Sequence, residues 1–151
     1  MNNKFYSVCG IVEIEGKVVL VRHTYGSAKD RILLPGGFVQ EGELPTAAAE
    51  RELLEETGIT ARVNSVMSIQ FKPEQWCVVF TMDYISGSPR SDGYENSEIL
   101  LLTPAEAIQR EDITNLSREL LSAYINGAQT LKHSDYVPGS STPDSYSIFG
   151  I

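Results

Sequence analysis

Three glutamates within five positions, Glu52, Glu55 and Glu56, carry the first chemical signal in this sequence. On a helix they fall within an arc of about 100°. Helix stability does not favour them there. Like charges at i,i+4 repel, and carboxylates near a helix C-terminus oppose the macrodipole, at roughly 0.3–1 kcal/mol each. No lysine stands between residues 30 and 71 to offset them. A divalent cation converts this repulsion into attraction. Hard carboxylate oxygens suit Mg²⁺ or Mn²⁺, and Mg²⁺ takes one or two carboxylates together with substrate phosphate oxygens. The competing reading is a solvated acidic face with no ligand.

The elements that position these residues can be read on either side. In "LPGGFVQEGE", Gly36 and Gly37 let backbone approach a ligand closely. Pro45 is a favoured first helical residue and Gly58 a favoured C′ residue, so the helix is expected over 45–57. Ala48 and Ala49 share the glutamate face and keep the space above it open, while Ala47, Leu53 and Leu54 are expected to point toward a core. Arg51 stands four residues before Glu55 and can brace it or reach Glu43.

Residues 5–14 and 17–23 are rich in Val and Ile and flank Glu15-Gly16, as in a hairpin. Residues 60–71 and 76–86 are two further strands, and "EILLL" another. Thr103, Pro104 and Glu106 form a capping box, and residues 114–126 an amphipathic helix closed by Gly127. The order β-β-β-α-β-β-β-α-α gives a mixed sheet covered by helices, an α/β or α+β sandwich. One domain is expected over residues 1–126. Residues 127–151 are rich in Ser, Gly, Pro, Asp and Thr, so they form a flexible tail or an arm docked through Tyr136, Tyr146, Phe149 and Ile151.

The residues around the glutamates resemble the Nudix hydrolase motif, which runs Gly, five residues, Glu, seven residues, Arg-Glu-aliphatic-any-Glu-Glu-any-Gly-aliphatic. Gly37, Glu43, Arg51, Glu52, Leu53, Glu55, Glu56, Gly58 and Ile59 fill every position. The resemblance implies a Nudix α/β/α sandwich with a mixed β-sheet. It also implies Mg²⁺- or Mn²⁺-dependent hydrolysis of a nucleoside diphosphate linked to another group. By that resemblance Glu52, Glu55 and Glu56 are metal ligands together with the Gly36 carbonyl, and Arg51 and Glu43 brace loop against helix. The general base is Glu52 or a loop glutamate, Glu95 or Glu98; of these two, Glu98 lies better placed at a strand entrance. Catalytic roles therefore fall on Glu52, Arg51 and Glu98.

Substrate clues lie outside the motif. Pro73, fifteen residues after Gly58, resembles a marker of ADP-ribose and sugar-nucleotide pyrophosphatases, though it also suits a plain turn. Tyr25, Phe71 and Trp76 offer faces for stacking a base, or are simply packed. A sugar-nucleotide or ADP-ribose substrate therefore leads over a nucleoside triphosphate. A non-catalytic nucleotide sensor would be expected to have lost motif glutamates, and none is lost. The net charge of −8 argues against a nucleic-acid backbone as partner. No apolar run reaches 18 residues and no signal-peptide pattern opens the chain, so no membrane contact and a cytoplasmic setting are expected. Cys9 and Cys77 read as buried thiols, and His23 and His133 carry no partner pattern. The resemblance also allows a homodimer.

Overall fold

The computed structural model describes residues 5–151. Strands β1 (Tyr6–Ile14) and β2 (Lys17–His23) form the expected hairpin, with Ile14 opposite Lys17. The stretch "ILLPGGFV", whose letters give a short strand broken by Pro35 and two glycines, forms β3 (Ile32–Leu33), paired with β2, and β4 (Gly36–Phe38), paired with β1. Proline has no N–H for a ladder, which fits a break at that point. Helix α1 (Pro45–Thr57) has Pro45 in its first turn and ends at Gly58, whose φ of 75° suits a residue without Cβ. The Gly58 N–H donates to Leu54 O.

Strands β5 (Thr60–Lys72), β6 (Gln75–Ser86) and β7 (Asn96–Leu102) follow. Then come α2 (Pro104–Ile108) and α3 (Asn115–Ile125). Thr103 Oγ1 accepts from Glu106 N, the first half of the expected capping box, while the Glu106 carboxylate accepts from the Thr103 hydroxyl rather than from its backbone N–H. Strand β1 ties the architecture together. It pairs in parallel with β6 over Tyr6–Val12 and antiparallel with β4, while its end pairs with β2, which in turn carries β3 and β7.

The tail is built onto this sheet. Strand β8 (Leu131–Ser134) pairs antiparallel with β5, and β9 (Ile148–Phe149) pairs with β8. Phe149 stacks on His133 and lies 5.8 Å from the Phe80 ring centroid, packed against the core. Two apolar clusters hold the layers. One joins Val8, Val12, Val63 and Phe80 of the sheet to Ala48, Ala49 and Leu53 of α1. The other joins Ile11, Leu20 and Val79 to Ala107, Leu120 and Leu121 of α2 and α3. Helices thus cover both faces, an α/β/α sandwich with a mixed sheet.

Helix α1 is turned differently from the expectation. Ala47 and Leu54 are exposed, whereas Ala48, Ala49, Leu53 and Glu56 are buried. The small side chains of Ala48 and Ala49 act as spacers that let the helix sit close on the sheet. The glutamate face therefore looks into the protein, with Leu53 the one large apolar anchor of that face.

Candidate active site

A cleft of about 430 Å³ opens beside α1, lined by Ser7, His23, Tyr25, Phe38, Glu52 and Glu95 among others. That volume lies in the usual range for small-molecule sites, roughly 300–1,000 Å³. One carboxylate oxygen each from Glu52, Glu56 and Glu95 lies within 4.8 Å of the other two. Glu52 and Glu56 come from successive turns of α1, and Glu95 from the loop that leads into β7.

The burial of Glu56 is the unusual feature. Only 3% of the residue is exposed, and its Oε2 has no hydrogen-bond partner. Burial first, then the charges of Glu52 and Glu95, push its pKa up to about 9 against the pull of the Gly36 N–H. Burial also raises Glu52, although the Arg51 guanidinium opposes the shift. An unpartnered carboxylate oxygen facing two more carboxylates fits a hard divalent cation, whose charge would let all three ionise.

Arg51 holds the frame of the site. Its Nε donates to Glu43 Oε2 at 2.7 Å and its Nη2 to Glu43 Oε1 at 3.0 Å, a two-pronged pair. The same guanidinium reaches Phe38 O, Glu52 Oε1 and Glu55 Oε2. Burial disfavours charge on Glu43, but Arg51 and the Gln40 N–H outweigh it and hold its pKa below the ordinary value. One side chain thus clamps the glycine-rich loop onto α1. Gly37 makes the fit possible: a Cβ built there would stand 2.5 Å from Glu52 Oε1 and 2.7 Å from Oε2.

Several sequence expectations are redistributed. Glu55 lies outside the three-carboxylate group; its side chain is 58% exposed and bound to Arg51. Residues 55 and 56 stand about 100° apart around the helix axis, and here Glu56 turns into the crevice while Glu55 turns to Arg51 and solvent. Glu98 is also outside, paired with Arg22 at 3.1 Å; Arg22 in turn binds Asp112. Because side chains alternate along a strand, a residue inside β7 is held to the sheet's own register, whereas Glu95 precedes the strand and turns to the cleft. Gly36 lines the cleft and engages Glu56 through its N–H. Of the three aromatic candidates only Tyr25 lines the cleft. Phe71 is exposed near the β5–β6 turn that holds Pro73, and Trp76 stacks on Tyr6 at 4.7 Å. Phe38, which the sequence does not single out, and His23, which carries no partner pattern there, do line it, with His23 stacked on Tyr25 at 5.1 Å. Their signal was adjacency: Phe38 follows the glycine pair, and His23 closes β2 two residues before Tyr25.

A NUDIX domain family model matches residues 4–124. The chain belongs to the Nudix family. Among curated relatives of this Nudix chain, an ADP-ribose pyrophosphatase of Methanocaldococcus jannaschii is 34% identical over 87 residues, 54% of this chain and 52% of the relative. A Bacillus subtilis protein named putative 8-oxo-dGTP diphosphatase is 32% identical over 100 residues, 64% of each chain. These matches thus span about half to two thirds of the relatives' length. A Nudix hydrolase structure from Nitrosomonas europaea superposes with a TM-score of 0.73 at 23% identity, covering 85% of this chain and 76% of that one. The likeness supports the Nudix fold. Residues 125–151, with β8 and β9, lie beyond the family match. Among the described residues no helix is long and apolar enough to cross a membrane.

Proposed function

We propose that this Nudix chain is a divalent-cation-dependent hydrolase that splits the diphosphate of a nucleoside diphosphate derivative, of ADP-ribose or sugar-nucleotide type. The observation that carries the reading is the convergence of Glu52, Glu56 and Glu95 within 4.8 Å at a small-molecule cleft, with Glu56 Oε2 buried and unpartnered. Glu52 and Glu56, with one oxygen of Glu95, would hold Mg²⁺ or Mn²⁺. Such an ion supplies neutralisation of the non-bridging phosphate oxygens and a lower pKa for a bound water.

The chain's own groups do the rest. Arg51 and Gly37 hold Glu52 in place, and the Gly36 N–H orients the Glu56 carboxylate. Glu95, opposite α1, takes the proton as a water oxygen attacks phosphorus. The bridging P–O bond breaks, and the departing phosphate keeps the electron pair. The products are a nucleoside monophosphate and the phosphorylated remainder. Tyr25 and Phe38, each about half exposed at the cleft, offer flat faces for the base or ribose.

The preference for ADP-ribose over a triphosphate is supported by the relative of that name and by the Pro73 resemblance. The relative named as an 8-oxo-dGTP diphosphatase favours the second reading, a nucleoside triphosphate pyrophosphohydrolase. A hydrolysis panel separates them: ADP-ribose, sugar nucleotides, and canonical and oxidised nucleoside triphosphates, with Mg²⁺ and with Mn²⁺, beside Glu56→Gln. Metal-dependent release of AMP from ADP-ribose, lost in the variant, is the expected result. Turnover of triphosphates alone moves the assignment to the second reading. Binding without turnover of any compound overturns the enzyme reading.

A further inference from the structure

The loop that brings Glu95 to the cluster is tied to α1 through one buried side chain. Asn96, 1% exposed, donates from Nδ2 to the backbone oxygen of Glu56 at 2.8 Å. Its Oδ1 accepts from the Ser91 hydroxyl, and its N–H donates to Asp92 Oδ1 at 3.0 Å. A second tie lies close by, where Arg90 N donates to Thr57 O at 2.7 Å. From the other side, Thr24 fixes the same loop, its N–H donating to Glu95 O and its hydroxyl to Tyr94 O.

The last carbonyls of a helix have no partner within it. Here the free carbonyl of Glu56 is taken by the residue next to Glu95, and that of Thr57 by the start of the same loop. The residue whose carboxylate faces the cluster therefore also holds, through its carbonyl, the loop that delivers the third carboxylate. Only one hydrogen bond and one peptide unit separate Glu56 from Glu95. A buried amide is suited to this: it supplies a donor to the helix and an acceptor to the loop without adding charge beside three carboxylates.

We propose that Asn96 is a positioning residue that sets the location of Glu95 relative to Glu52 and Glu56, and so governs cation affinity. The inference rests on the assignment of these three glutamates to a cation site, not on the identity of the substrate. Partners that orient metal-facing groups typically change metal affinity by about 10–100-fold when removed.

The test is a double-mutant cycle read by calorimetric titration of the metal-free full-length protein with Mn²⁺, each variant first checked by circular dichroism. Asn96→Ala is expected to weaken Mn²⁺ binding about tenfold in the wild-type background and to have no further effect in Glu95→Gln. An equal loss in both backgrounds would mean that Asn96 supports only the helix end, and would overturn the proposal. If Asn96→Ala does not fold, Ser91→Ala, which keeps the amide but removes its Oδ1 partner, takes its place. It should give a smaller loss with the same dependence on Glu95, and unchanged affinity in Ser91→Ala counts against the proposal. Absence of Mn²⁺ binding by the wild type overturns the cation site itself. A normal cycle without turnover of any nucleotide leaves the inference standing and overturns only the hydrolase reading.

Discussion

Glu56→Gln in the absence of divalent ions tests the electrostatics of the site most directly. In the wild type the Glu56 pKa is pushed up to about 9, chiefly by burial, whereas an unfolded chain releases that proton at its ordinary value of 4.5. Between those two values the native state holds a proton that the unfolded state lacks, so stability falls as pH rises. The slope for one group is about 1.4 kcal/mol per pH unit. From pH 6 to pH 8 the loss is therefore about 3 kcal/mol. For a domain of this size, with roughly 2–4 °C per kcal/mol, the wild-type Tm should drop by about 5–10 °C. Glutamine has the shape of the protonated acid and does not titrate. The variant should thus match the wild type near pH 5 and exceed it at pH 8 in EDTA. With saturating Mn²⁺ at pH 8 the order should reverse, because only the glutamate gains from the cation. Thermal melts of both proteins across pH 5–8, with EDTA and with Mn²⁺, read all of this. Parallel melting curves for the two proteins in EDTA would refute the burial argument.

Other substitutions address separate parts of the structure. Gly37→Ala places a methyl group against the Glu52 carboxylate and should cost about 1–3 kcal/mol by overpacking; denaturant unfolding and Mn²⁺ titration should show stability and affinity falling together. Glu98→Gln removes only a half-exposed pair with Arg22, so turnover should stay within about twofold and stability within about 1 kcal/mol. A large loss of turnover would return Glu98 to the catalytic set. Phe149→Ala strips a partly buried ring from Phe80 and should destabilise the protein by about 1–3 kcal/mol, less than for a fully buried phenylalanine. An unchanged Tm would show that β9 contributes nothing to the core.

The sequence was most legible where local chemistry has few solutions. Pro45 and Gly58 mark the ends of α1, and Thr103 and Glu106 the start of α2. It was least legible where tertiary packing decides. The choice of Glu56 over Leu54 for the buried side of α1 runs against hydrophobicity, and the groups it meets there, Gly36 and Glu95, lie far from it in sequence. Likewise Glu95 and Glu98 differ by three positions, and the strand start at Asn96 separates their fates. The turn chemistry of Ser91, Asp92 and Asn96 was present in the letters, but its anchor on α1 is a contact forty residues away. The tail's strands leave no mark in the sequence because β8 and β9 are four and two residues long and set in Ser- and Pro-rich chain.

The parallel pairing of β1 with β6 also bears on the order of folding. Tyr6 lies opposite Trp76, so about seventy residues must close into a loop before that ladder forms. Non-local pairing of this kind is slow, because the entropy of closure is lost before contacts repay it. The β1–β2 hairpin and the β5–β6 pair are local and can form early, yet neither contains the whole carboxylate group. Glu95 reaches Glu56 only when β7 has docked on β2 and β4 has been laid against β1. An ion held by these residues therefore cannot template the chain's early steps. Binding there would be expected to slow unfolding rather than hasten folding, and the rate at which Mn²⁺ affinity appears during refolding would report these long-range joins.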